Sequence, residues 1–121
     1  MKYKQEIIFE NESANTTLVE KYKNAIIEQV TGIVENSFDF DIVLVIGIKD
    51  IEKSENYVNK ETTCGYSTWR KDGRYEVCFS SELLERIKRD NGLEIAISIC
   101  HELGHVYDMH YVMNNKYYKI N

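Results

Sequence analysis

Two histidines and a glutamate lie within five residues of one another, in the run His101-Glu102-Leu103-Gly104-His105. Residues four apart on an α-helix lie about 40° apart around its axis, so both imidazoles can point at one ion. Glu102 lies about 100° from His101, too far round to bind that ion beside the pair but close enough to reach a water on it. The spacing therefore predicts two metal ligands, His101 and His105, and a general base, Glu102.

These residue types suit hydrolysis by a metal-activated water. Neutral imidazoles hold Zn²⁺ without cancelling its charge, so the ion can lower the pKa of a bound water to about 7 and polarise a peptide carbonyl. A nearby carboxylate can take the proton of that water and pass it to the departing amine. Gly104 would keep the helix surface low enough for a strand or a substrate backbone to approach. We therefore expect Zn²⁺ as cofactor and a peptide or protein as substrate.

A chance match on an ordinary helix is the alternative, and the surrounding sequence argues against it. Residues 93–100 are apolar around most of the helix circumference, which is typical of a buried helix. Buried histidines and a buried glutamate without partners would cost roughly several kcal/mol, and a metal ion is the simplest partner. Cys100 points about 100° away from His101, so we expect Cys100 in the core rather than on the metal.

The composition of the whole chain indicates one domain over residues 1–121. The net charge of -5 and the lack of a basic stripe argue against nucleic acid as a partner. No stretch approaches the roughly 20 apolar residues of a membrane span, and residues 7–9 are too short for a signal-peptide core. Three cysteines, an odd number, are interpreted as reduced thiols. We expect a cytoplasmic protein, or one exported by a route that the sequence does not show. We expect no membrane partner, and the sequence does not specify an oligomeric state.

The periodicity of apolar residues predicts the elements that precede the motif. We expect a short strand over residues 3–9 and an amphipathic helix over residues 17–36 that begins with a capping box of Thr17 and Glu20. Residues 40–48 are β-branched and apolar on both faces, which predicts a central strand covered on each side. These elements would form the scaffold of the motif helix.

A hairpin and a further helix are predicted between this scaffold and the motif. The strands cover residues 62–69 and 74–79, after a surface loop over residues 50–60, and a turn at Asp72-Gly73 places Cys78 opposite Ser67. Residues 80–89 form a helix capped by one of two serines, and Asn91-Gly92 ends it. The motif helix then begins at residue 93.

This order of elements resembles the amino-terminal half of a zincin metallopeptidase domain. The run His-Glu-Leu-Gly-His-Val-Tyr-Asp, residues 101–108, is most similar to the His-Glu-x-Gly-His-x-x-Asp form of anthrax lethal factor-like peptidases, and is also similar to the ImmA/IrrE-type peptidases. The resemblance covers residues 62–111. It implies an α+β fold, with a small, twisted, mostly antiparallel sheet, a backing helix and the motif helix beneath. It also implies a zinc metallo-endopeptidase with His101 and His105 as ligands and Glu102 as general base.

The chain departs from both families at the third zinc ligand. The families would supply a glutamate from a helix well downstream, whereas this sequence has no acidic residue after Asp108. Asp108 could bind if the helix unwinds after His105, since it otherwise lies about 10.5 Å along the axis from His101. It could also orient a histidine N–H. His110 could bind if the chain turns sharply. Alternatively, the third ligand lies in sequence not present here or in a partner chain, and the domain then lacks the usual C-terminal subdomain.

Substrate binding in zincins resembles strand addition to a sheet edge above the metal, and the hairpin would supply that edge through residues 65–69 or 75–79. The competing hypothesis is a catalytically silent zincin-like module that binds a partner or holds a structural metal.

Overall fold

The computed structural model describes residues 3–51 and 65–114. In chain order the elements are β1 (Gln5–Asn11), α1 (Thr16–Ser37), β2 (Ile42–Lys49), β3 (Gly65–Trp69), β4 (Tyr75–Ser80), α2 (Ser81–Glu85), α3 (Ile87–Asp90) and α4 (Leu93–Asn114). They form an α+β fold around a four-stranded mixed sheet. Most of the predicted loop over residues 50–60, and the start of the strand predicted from residue 62, lie outside the described residues.

The strands lie in the order β1-β2-β4-β3. Strand β2 pairs parallel to both β1 and β4, and only β3 and β4 pair antiparallel. The expectation of a mostly antiparallel sheet was therefore wrong. Helix α1 is the reason for the first parallel pair, because it carries the chain back along the sheet so that β2 starts at the same end as β1.

The core lies on one face of this sheet, under α1 and α4. Alternate residues of the central strand β2 point into it, and they are fully or almost fully buried: Ile42, Leu44, Ile46 and Ile48. Val45 and Gly47, on the other face of the strand, are buried as well. The predicted central strand, covered on both faces, is confirmed.

Helix α1 has a different N-cap from the predicted one. The side chain of Asn15 accepts a hydrogen bond from the backbone N–H of Leu18 at 3.2 Å, and the helix begins at Thr16. The capping box of Thr17 and Glu20 does not form, because Asn15 precedes it and asparagine is at least as good an N-cap as threonine.

The hairpin register differs by one residue from the predicted one. The loop has three residues, 71–73, because Gly73 adopts a left-handed conformation with φ of 90° and donates its backbone N–H to Arg70 at 3.0 Å. A two-residue turn at Asp72-Gly73 would have paired Ser67 with Cys78. Ser67 instead lies opposite Val77, which turns its side chain toward the core face of the sheet.

The helix predicted over residues 80–89 is interrupted at Arg86, which separates α2 from α3, and Ser80 is its N-cap. Asn91 and Gly92 then adopt left-handed conformations with φ of 56° and 79°. The chain therefore turns at the predicted place, and α4 begins at Leu93 as predicted.

Helix α4 is buried on one side only. Its inward residues are Ile95, Ile99, Glu102, Leu103 and Val106. Leu93 and Ile97 are about 60% exposed, and Cys100 is exposed, so the expectations of an all-round buried helix and of a core Cys100 were wrong. The physical reason is that α4 covers one face of the sheet, and within the described ranges nothing covers its outer side. No helix in those ranges is both long and apolar enough to cross a membrane.

Candidate metal centre

Helix α4 brings the imidazoles of His101 and His105 together on its exposed side. Their Nε2 atoms lie 3.0 Å apart, and the ring planes are inclined by 85°. In a tetrahedral zinc site, with Zn–N bonds of about 2.0–2.1 Å, two ligand nitrogens lie about 3.3 Å apart. The two rings would therefore have to separate only slightly to supply two of the ligands of a zinc site.

Glu102 lies beside the pair but points toward the sheet and is only 7% exposed. Its Oε1 atom accepts a hydrogen bond from the hydroxyl of Ser67 in β3 at 2.6 Å. The same hydroxyl lies 2.9 Å from the backbone carbonyl oxygen of Glu102. Within the described ranges Oε2 has no hydrogen-bond partner, so one carboxylate oxygen is fixed and the other is available to a reacting molecule.

A cleft of about 880 Å³ runs between β3 and α4 over these side chains. The polar part of its wall consists of Tyr66, Ser67, Ser98, His101, Glu102, His105 and Asp108. Its apolar part consists of Ile97, Met109, Val112 and Met113, all from α4. The cleft therefore exposes the histidine pair and the glutamate to the same solvent-filled space, which is large enough for a segment of extended peptide.

Asp108 lines this cleft three residues beyond His105 and is exposed. Helix α4 continues without a break to Asn114, so the unwinding that would bring Asp108 to the pair is not formed. The part of the chain that the structure describes contains no group of three or more His, Cys, Asp or Glu side chains that could hold a metal ion. Asp108 as the third ligand stays a prediction. The structure shows that Asp108 lines the same cleft as His101 and His105.

His110 lies about 140° around the helix from His105. Its ring stacks on Phe40 and meets Tyr75 edge-on. Burial lowers the pKa of His110, which favours the neutral ring. The sharp turn that zinc binding by His110 would require is not formed, because α4 is continuous through this residue. The structure thus does not bring His110 together with the histidine pair.

Ser67 is the site residue that the sequence reasoning missed. Its contact with Glu102 joins an edge strand to a helix 35 residues later in the chain. The only available signal was the hairpin register, and the predicted register turns Ser67 to the face of the sheet away from α4.

No protein-family model, curated protein or solved structure matches this chain. The function must therefore be argued from the residues of the cleft.

Gly104 lies on the opposite side of α4 from Glu102, against a second cavity of about 550 Å³ between α1 and α4. A Cβ atom on this glycine would meet no described atom within 4 Å. The expected close approach of a strand to Gly104 is therefore not observed in the described ranges, and the glycine lies beside open space.

Proposed function

We propose that this protein is a zinc-dependent peptidase with a zincin-like fold, in which His101 and His105 bind the metal and Glu102 is the general base. One observation carries the proposal. The Nε2 atoms of the two histidines lie 3.0 Å apart on the wall of a cleft that also contains the carboxylate of Glu102. Reduced Cys78 and Cys100 are consistent with a cytoplasmic location, which we include in the proposal.

The chain's own residues supply binding and proton transfer. Zinc, when bound, lowers the pKa of a water molecule and polarises the carbonyl of the peptide bond. Glu102 accepts a proton from that water at Oε2 while the water oxygen forms a bond to the carbonyl carbon. When the C–N bond breaks, Glu102 returns the proton to the departing nitrogen, so that a carboxylic acid and an amine are released. The imidazoles of His101 and His105 would hold the metal without cancelling its positive charge.

Strand β3 supports a peptide substrate rather than a small molecule. It is the end strand of the described sheet and borders the cleft, whereas β4 lies inside the sheet. An edge strand has a row of backbone N–H and C=O groups with which an extended peptide can pair. Of the two strands suggested by the sequence, β3 is therefore the one that we propose binds substrate.

The test measures the zinc content and the casein cleavage of the wild type and of one matched pair of variants. We expect the purified protein to hold close to one equivalent of zinc by mass spectrometry and to cleave fluorescein-labelled casein. Glu102→Gln should keep the zinc and lose the cleavage, because only the proton acceptor is removed. Glu94→Gln makes the same change earlier on α4, at a residue ion-paired with Arg86, and should cleave like the wild type.

Three results would contradict the proposal. A protein that holds zinc but cleaves no casein would be a zincin-like module without catalysis. Equal cleavage by the wild type and by Glu102→Gln would mean that Glu102 is not the general base. A protein that holds no zinc would not be a metallopeptidase.

A further inference from the structure

Ser67 contacts the proposed general base through a single hydroxyl group. Its Oγ lies 2.6 Å from Oε1 of Glu102 and 2.9 Å from the backbone carbonyl oxygen of the same residue. A serine hydroxyl has one proton, and the shorter contact is to the carboxylate, where a charge-assisted hydrogen bond is the stronger one. The Ser67 hydroxyl therefore contacts two oxygens of Glu102 and donates its proton mainly to Oε1.

We propose that Ser67 is a positioning residue, whose hydroxyl holds Oε1 of Glu102 so that Oε2 faces the cleft. The inference rests on the proposed function. Glutamate has three rotatable side-chain bonds, and its terminal carboxylate rotation is broad, so an isolated carboxylate samples many orientations. A donor at 2.6 Å on one oxygen removes most of this freedom. Oε2, which has no partner among the described residues, is then held facing the cleft.

The burial of Glu102 strengthens the dependence on Ser67. The carboxylate is 7% exposed, so little water can replace a lost hydrogen bond at Oε1. Ser67 is the only described residue that donates a side-chain hydrogen bond to this carboxylate. Without the hydroxyl, the carboxylate would have to turn toward the cleft to find water, and Oε1 and Oε2 would then compete for the same solvent.

A merely structural role, in which Ser67 ties β3 to α4, makes a different prediction. Loss of such a tie would lower the free energy of unfolding and weaken peptide binding at β3, and would raise KM. Loss of a positioning contact would lower kcat, because the binding groups stay in place while proton transfer loses its alignment. The two roles are therefore separated by kcat and KM measured on folded protein.

Ser67→Thr and Ser67→Val form the sharpest pair of variants, because the two new side chains have nearly the same shape and only threonine has a hydroxyl. We expect Ser67→Val and Ser67→Ala to lower kcat on fluorescein-labelled casein by about 10- to 100-fold, with KM and zinc affinity unchanged. Ser67→Thr should stay within about threefold of the wild type. Thr31→Val is the control, because it removes a hydroxyl from α1, outside the residues that line the cleft, and should leave kcat unchanged.

Each contrary result has its own meaning. If Ser67→Val, folded and zinc-loaded, cleaves like the wild type, or if Ser67→Thr is as slow as Ser67→Val, the positioning role is wrong while the peptidase stands. A rise in KM with kcat unchanged would also overturn it, in favour of the structural tie. If wild-type protein with zinc shows no cleavage that depends on Glu102, the proposed function fails and this inference fails with it.

Discussion

The imidazole of His110 stacks on the ring of Phe40, with the ring centroids 3.5 Å apart and the planes inclined by 6°. This contact lies on the far side of α4 from the histidine pair. We expect His110→Ala to keep its zinc and to lower the free energy of unfolding by about 1–2 kcal/mol, through the lost ring contact and burial. His105→Ala should instead lose the zinc. Zinc titration and urea unfolding measure both effects, and loss of zinc in His110→Ala would make His110 a ligand after all.

Asp108 lines the cleft but lies outside any described group of ligands. A carboxylate there can bind the metal after a local rearrangement or orient a histidine N–H, and both roles raise zinc affinity. We expect Asp108→Asn to weaken zinc binding by about 10- to 100-fold in a competition titration with a coloured chelator. Glu94→Gln is the control on the same helix. Equal zinc affinities in both variants would make Asp108 an ordinary surface acid.

Two glycines of the site region should respond oppositely to alanine. A Cβ at Gly65 would collide with the backbone carbonyl oxygen of Cys78 in the paired strand, and a backbone atom cannot easily move away. We expect Gly65→Ala to lower the free energy of unfolding by about 1–3 kcal/mol. Gly104→Ala has open space and should raise it by about 0.5–1 kcal/mol, because alanine is the better helix former. Urea unfolding of the two variants tests the prediction, and a stabilised Gly65→Ala would contradict it.

Asp50 ties the end of β2 to the starts of two helices. Its carboxylate accepts hydrogen bonds from the hydroxyls of Ser13 and Ser81, both at 2.6 Å, and from the backbone N–H of Ala14 at 2.9 Å. These bonds lower the pKa of Asp50 from 3.8 to about 2. The carboxyl is thus more acidic in the folded than in the unfolded chain. Its stabilising effect is complete above about pH 4 and is lost as the pH falls toward 2.

The variant Asp50→Asn tests this linkage, because asparagine does not titrate. Between pH 5 and pH 2 its free energy of unfolding should fall less steeply than that of the wild type in urea titrations. Parallel pH profiles for the two proteins would mean that the hydrogen bonds at Asp50 do not favour the charged form.

Local sequence was sufficient to locate most elements. The β-branched run of β2 predicted a central strand, and the Asn91-Gly92 pair predicted the start of α4, because left-handed backbone ends a helix wherever it occurs. The motif spacing predicted that the rings of His101 and His105 can face one point, since both lie on a single continuous helix. None of these depends on a distant part of the chain.

The remaining features depend on distant contacts. The direction of strand pairing follows from where α1 returns the chain, which no local pattern encodes. The exposure of Ile97 and Cys100 depends on how many layers cover α4, and apolar composition does not reveal that. The contact of Ser67 with Glu102 depends on hairpin register, and an error of one residue in the loop was enough to hide it.

The three-residue loop at 71–73 therefore has an effect far beyond the tip of its hairpin. If one residue were deleted there and Arg74 entered the loop to keep it at three residues, Thr68 would lie opposite Val77, and a threonine hydroxyl would face Glu102. If the loop instead shortened to two residues, Arg70 would still pair with Arg74 and Ser67 would keep its place. A change of length at this solvent-exposed tip would thus reach the acid in the cleft only where the loop draws a residue from one of its strands.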